Sequence, residues 1–130
     1  MDGASRGNPG PSGIGAVLLP SGGAADDTVR LSKYIGETTN NVAEYLALVY
    51  ALQAALRAGH TDVTVKTDSE LLARQMNGEY RVRNGQLKLF HDLAAEMSRG
   101  FRGFRIQHIP RTENTLADRL AGQAVTSRSL

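Results

Sequence analysis

Thr38-Thr39-Asn40-Asn41-Val42-Ala43-Glu44-Tyr45-Leu46-Ala47-Leu48-Val49-Tyr50-Ala51-Leu52-Gln53-Ala54-Ala55-Leu56-Arg57-Ala58-Gly59 is the stretch on which the fold turns. Its Thr-Thr-Asn-Asn opening is a helix-start signal, and Gly59 is a stop. Between them, Val42 to Ala58 reads as a helix that is apolar on nearly every face. Such a helix is buried against a sheet rather than laid on a surface. The sheet must come from the flanking segments.

Upstream, Ile14–Leu19 is small, apolar and β-compatible, and Thr28–Ile35 alternates, with Val29, Leu31, Lys33 and Ile35 on one side. The Gly- and Ser-rich residues 21–27 between them predict a hairpin-type connection. Earlier still, Asp2 opens a short strand that runs into the turn-rich Gly7-Asn8-Pro9-Gly10. Downstream, Asp62–Thr67 is a β-branched strand. A helix opens at Asp68-Ser69-Glu70 and runs to about Met76, and a second spans Gln86 to about Ser98. Phe104–Ile109 alternates as a strand, and Glu113–Val125 is a last helix with a polar, fraying tail from Thr126. The order β-β-β-α-β-α-α-β-α predicts an α/β fold: a mixed sheet, antiparallel at first and parallel later, with helices on its faces.

The chain has 130 residues, is 41% hydrophobic and 22% charged, and reads as one domain over residues 1–130. It has no Cys, which excludes disulfides, zinc thiolates and thiol catalysis. No signal-peptide pattern follows Met1 and no apolar run reaches a membrane span, so a cytoplasmic protein without a membrane partner is expected. No exposed apolar stripe demands a dimer, so a monomer is expected. The formal net charge of +2 is too small to argue nucleic-acid binding alone, although basic residues concentrate around Arg74–Lys88 and Arg99–Arg111.

Four acids stand at element junctions. Asp2 is on the first strand, Glu44 in the first turn of the buried helix, Asp68 at the carboxyl end of a strand, and Asp118 early in the last helix. Sheets of this class place their sites at the carboxyl ends of strands. Gathered together, four carboxylates repel one another unless cations bridge them. Mg²⁺ prefers oxygen ligands, and a pair of such ions clamps the attacking and leaving oxygens of a phosphodiester. Each acid also has a plainer reading. Glu44 stands three residues after Asn41 like the Glu of a capping box, Asp68 fits an N-cap, and Asp2 and Asp118 fit solvated positions.

Four segments resemble the type 1 ribonuclease H family: Asp2 through Gly15 (Asp-Gly-Ala-Ser-Arg-Gly-Asn-Pro-Gly-Pro-Ser-Gly-Ile-Gly), Thr38 through Tyr45, Thr67-Asp68-Ser69-Glu70, and His108 through Ala121. The likeness covers essentially the whole chain in order. It implies an RNase H-like fold with a five-stranded mixed sheet in the order 3-2-1-4-5. It implies endonucleolytic cleavage of the RNA strand of RNA/DNA hybrids with two Mg²⁺ or Mn²⁺ ions bound alongside substrate, leaving 5′-phosphate and 3′-hydroxyl ends. Asp2, Glu44, Asp68 and Asp118 match the catalytic metal ligands. Glu44 matches a residue that also meets an RNA 2′-hydroxyl, the group that separates RNA from DNA. Asn8, Asn40 and Asn41 match hybrid-contacting positions, and Thr39 matches one that helps hold a DNA phosphate. The family's mobile assisting residue before the last helix corresponds either to His108 or, as in a Pro-Arg subgroup, to Arg111. His60 and His91 read as ordinary surface residues.

The chain departs from the pattern in four respects. The long basic protrusion of some members is replaced by the short link Glu79–Asn84; Arg81, Arg83 and the nearby Lys88, with Tyr80 as a stacking surface, substitute in part. The chain has no Trp. Weak, salt-sensitive binding is therefore expected. Glu70 adds charge near the path of the RNA. Finally, only Met1 precedes Asp2, so the first strand should lack ladder bonds on its amino-terminal side, with an α-amino group near the acids. Two other readings stay open: a non-catalytic nucleic-acid-binding module, and another nuclease of the same superfold.

Overall fold

The computed structural model describes residues 1–20 and 28–128. Five strands are present: β1 (Asp2–Ser5), β2 (Gly10–Leu18), β3 (Val29–Thr38), β4 (Asp62–Thr67) and β5 (Gly103–His108). Four α-helices follow the expected order: α1 (Asn40–Arg57), α2 (Glu70–Met76), α3 (Gly85–Ser98) and α4 (Thr115–Ser127), with a 3-10 turn over Arg111–Glu113. The predicted hairpin connection at residues 21–27 lies outside the described residues.

The first three strands pair antiparallel in the order β1-β2-β3, and β4 pairs β5 in parallel. The expected single ladder of five strands is thus two sheets of three and two. Among the described residues they meet through one backbone hydrogen bond, from the Met1 amino group to the Lys66 carbonyl at 2.9 Å. Beyond Met1, between β2 and β4, lies a cavity of about 890 Å³ bordered by Ala16, Leu18, Val63 and Val65.

Strand β2 starts at Gly10, four residues earlier than the side chains suggest. Gly10-Pro11-Ser12-Gly13 reads as loop because it lacks apolar side chains, but its backbone completes a ladder with Thr38, Glu37, Gly36 and Tyr34. Ile35 is an extra residue on β3 at the register shift, and Gly36 follows it at φ +86°.

Helices cover both faces of the three-stranded sheet. Ile14 and Ala16 point into the core with Leu48 and Leu52 of α1, all at most 1% exposed. Burying each of the larger side chains contributes on the order of 1.5–3 kcal/mol. The alternate residues Gly13 and Gly15 face α4. A Cβ on Gly15 would run into the Ala117 carbonyl, and one on Gly13 into that of Ala121, so these glycines set how closely α4 can approach. The α1 helix is packed against the sheet as its apolar sequence predicts: it buries Val42, Ala43, Glu44, Tyr45, Ala47, Leu48, Leu52 and Ala55.

Several boundaries shift for local reasons. Ser69, not Asp68, caps α2, its Oγ accepting from Leu72 N at 3.1 Å. The last helix begins at Thr115 rather than Glu113, because Pro110 leads into the 3-10 turn. The tail does not fray at Thr126: it stays helical through Ser127, and Arg6 donates to Thr126 Oγ1 at 2.5 Å. His91 is not an ordinary surface residue. Its side chain is 22% exposed, edge-on to the Tyr45 ring.

Candidate active site

The segment Met1–Gly3 forms the hub of the site, because backbone groups of Met1 and Gly3 anchor three acid-bearing elements. The Met1 amino group holds Lys66, two residues before Asp68. The Met1 carbonyl accepts from Asn114 Nδ2 at 2.9 Å, four residues before Asp118. Gly3 N donates to Glu44 Oε1 at 2.5 Å. Gly3 is forced by proximity as well, since a Cβ there would collide with the Ala43 carbonyl group.

The acids converge on this hub. Oxygen atoms of Asp2, Glu44 and Asp68 all lie within 4.8 Å of one another. Asp2 pairs with Gly15 in the ladder and shares its α4-facing side. Asp118 lies near enough to raise the Asp2 carboxyl's pKa. The four acids line one cleft of about 440 Å³, together with Gly3, Ala4, Ser5, Asn40, Asn41, Ser69 and Arg111.

Burial and mutual repulsion set the electrostatics. Asp2 is 5% exposed and Glu44 8%. Burial first, then the Glu44 charge and the nearby Asp118 carboxyl, push the Asp2 carboxyl up to about 9. Burial also raises Glu44, to about 7, against the opposing pull of the Gly3 N–H. Burial lowers the Met1 amino group, while Asp2, Glu44 and Asp68 act to raise it. Two buried acids held together with raised pKa values are a strained arrangement in water. A hard divalent cation relieves it, and closely set carboxylate oxygens are the donors such a cation prefers. The donor set therefore fits a hard divalent cation.

The plainer readings of two acids do not hold. Thr39 caps α1, its Oγ1 accepting from Val42 N at 3.3 Å, and Glu44 spends its oxygen on Gly3 instead of closing a capping box. Asp68 leaves the cap of α2 to Ser69.

The amides form a relay along the rim. Asn8 Oδ1 accepts from Asn40 N at 3.0 Å, and Asn40 Oδ1 accepts from Ser5 N at 2.8 Å. Asn40 and Asn41 line the cleft; Asn8 and Thr39 are outside its lining, Asn8 accepting from Asn40 N and Thr39 from Val42 N. Arg111 reaches the cleft, its Nη2 3.7 Å from Asp118 Oδ1 with the guanidinium 80% exposed. His108 ends β5 opposite Thr67, exposed and outside the cleft lining. Glu70 is engaged by Arg74 at 2.8 Å, Arg74 lies over the Tyr80 ring, and Lys88 pairs with Asp92 at 2.6 Å.

Sequence reasoning missed Gly3 and Asn114. Gly3 carries no side chain to signal its role. Asn114 directly precedes Thr115-Leu116-Ala117 and resembles a helix cap, which conceals its use elsewhere.

The sequence matches the reverse transcriptase-like family over residues 1–124. It is 40% identical over 125 residues to ribonuclease HI of Halobacterium salinarum, covering 96% of this chain and 62% of that protein. The solved structure of RNase H1 from that archaeon superposes with a TM-score of 0.89 at 40% identity, covering 96% of this chain and 93% of the other. This chain belongs to the type 1 ribonuclease H family. LC11-RNase H1, solved in complex with an RNA/DNA hybrid, is equally similar: TM-score 0.89, 40% identity, 99% of this chain and 96% of the other. The bifunctional protein Rv2228c of Mycobacterium tuberculosis is 41% identical over 127 residues, covering 95% of this chain. The chain spans only 34% of that relative's length. Among the described residues, no helix is long and apolar enough to cross a membrane.

Proposed function

We propose that this chain is a divalent-metal-dependent ribonuclease H that cuts the RNA strand of RNA/DNA hybrids internally, leaving 5′-phosphate and 3′-hydroxyl ends. The observation that carries this reading is the trio Asp2, Glu44 and Asp68, with oxygens inside 4.8 Å, on a cleft rimmed by Asn40 and Asn41. Membership of a family that includes a hybrid-bound relative supports the substrate.

Asp2, Glu44, Asp68 and Asp118 would hold two Mg²⁺ or Mn²⁺ ions. When bound, the ions supply Lewis-acid stabilisation of phosphate charge and a more acidic water. The chain's own residues do the rest. Glu44 offers its second oxygen to an RNA 2′-hydroxyl, which DNA cannot provide. The side-chain oxygens of Asn8 and Asn40 are held by backbone N–H groups, so both amides present their NH₂ groups as donors to the hybrid. Thr39 borders the path of the DNA phosphate. Arg111, standing at the cleft, is placed to receive a phosphate oxygen, and is favoured over His108 for the assisting role. Arg81, Arg83 and Lys88 add sequence-independent attraction that salt weakens. We further propose that β4 completes a 3-2-1-4-5 strand order beside β1, that residues 1–130 act as one catalytic domain and a monomer, and that the protein works in the cytoplasm.

The test is to incubate labelled RNA/DNA hybrid, double-stranded RNA, double-stranded DNA and a four-way junction with the protein, with Mg²⁺, with Mn²⁺, and with EDTA. Internal cleavage of the hybrid's RNA strand, dependent on metal, is expected. Failure to cut the hybrid with either ion sinks the proposal, and preferential cutting of the junction points to another nuclease of this superfold.

A further inference from the structure

Asn114 is 7% exposed, one of few buried polar residues among those described. It stands at the N-cap of α4, a position where Asn usually bonds the helix's own first N–H groups. Here it makes no side-chain cap. Its Nδ2 instead crosses to the Met1 carbonyl, 113 residues away in sequence, at 2.9 Å in a buried setting. Its backbone is committed on both sides: Asn114 N donates to the Arg111 carbonyl at 3.0 Å, and Asp118 N donates to the Asn114 carbonyl at 3.1 Å.

One residue therefore connects three parts of the cleft: the strand that carries Asp2, the turn that carries Arg111 and the helix that carries Asp118. Gly13 and Gly15 let α4 lie close on β2, and Ser32 Oγ donates to the Leu120 carbonyl at 2.7 Å farther along the helix. The bond from Nδ2 to the Met1 carbonyl is the directional contact at the amino-terminal end of α4, the end that carries Asp118. A shift of 1 Å there changes the distance from Asp118 to Asp2.

We infer that Asn114 is a positioning residue for the carboxylate site, setting the separation of Asp118 from Asp2 through its bond to the Met1 carbonyl. The inference rests on the metal-binding reading of that cleft. Its donor is directed away from the first turn of α4, which has no side-chain cap.

The experiment compares Mn²⁺ binding to the substrate-free protein, followed by electron paramagnetic resonance, in the parent and three variants. Asn114→Ala removes the donor. Asn114→Ser removes the reach but can cap α4 itself, so it keeps the helix folded if the alanine variant does not. Leu120→Ala loosens α4 against β2 without touching the tether. Melting temperatures are recorded for all four proteins. We expect Mn²⁺ affinity to fall about tenfold in both Asn114 variants and to stay within about twofold in Leu120→Ala. Affinity within about twofold of the parent in the Asn114 variants overturns the inference, as does an equal loss in Leu120→Ala. A parent protein that binds no Mn²⁺ brings down the metal reading itself, and the inference with it.

Discussion

The two halves of the carboxylate cleft are built differently. Asp2 and Glu44 are buried, and a backbone N–H holds Glu44 in place. Asp118 and Arg111 face each other at 3.7 Å, with side chains 41% and 80% exposed. An exposed pair of that kind contributes at most about 1 kcal/mol and rearranges readily. The buried half supplies fixed charge that only a cation or protons can satisfy. The exposed half can adjust to what enters. A metal-dependent nuclease needs both, because the ions must be placed rigidly while the scissile strand arrives and leaves.

The largest effect should come from removing a carboxylate at the junction of the two halves. Asp68→Asn is expected to lower hybrid cleavage by at least about a hundredfold while the circular dichroism spectrum stays that of the parent. Unchanged turnover would remove Asp68 from the site.

Next comes the packing of the buried half. Gly3→Ala puts a methyl group against the Ala43 carbonyl. Because the obstacle is backbone, we expect a loss of about 3 kcal/mol, read from urea midpoints, together with weakened metal binding. A mutant as stable as the parent would mean that α1 can retreat from β1.

The buried half should also be visible in pH titration. The carboxyls of Asp2 and Glu44 are raised, to about 9 and about 7, so the folded state binds protons more tightly than the unfolded chain does. Stability without metal is therefore greatest below the ordinary carboxyl range and declines as pH rises through those two values. The Met1 amino group, lowered by burial, works in the opposite direction near neutral pH. Bound Mg²⁺ should offset the decline, raising the melting temperature more at pH 8.5 than at pH 5.5, about the two ends of this window. An equal rise at both pH values would contradict the raised pKa values.

The exposed half should be the most tolerant. Arg111→Ala is expected to reduce kcat about fivefold or less, with KM nearly unchanged, and His108→Ala less still. A larger loss in the histidine variant would reverse their proposed roles.

Much of this was legible in the sequence because the carriers are side chains with strong local signatures. The all-round apolar α1 announced a buried helix, and the four acids stood at element ends. What escaped notice depends on backbone. Gly10–Gly13 forms strand through ladder bonds that no side chain advertises, and the choice between Asp68 and Ser69 as the α2 cap is made by geometry one residue apart. The continuous five-stranded sheet was expected from family likeness. Among the described residues, the backbone link between β1 and β4 is the Met1–Lys66 bond. The role of Asn114 was hidden by its resemblance to a common capping residue.

The central claim is that Met1-Asp2-Gly3 gathers the acids into one divalent-metal site. Crystals soaked in Mn²⁺ and measured for anomalous scattering test it most directly. The account predicts a peak among the Asp2, Glu44 and Asp68 carboxylates. A peak elsewhere on the molecule, or none at that trio, would contradict it.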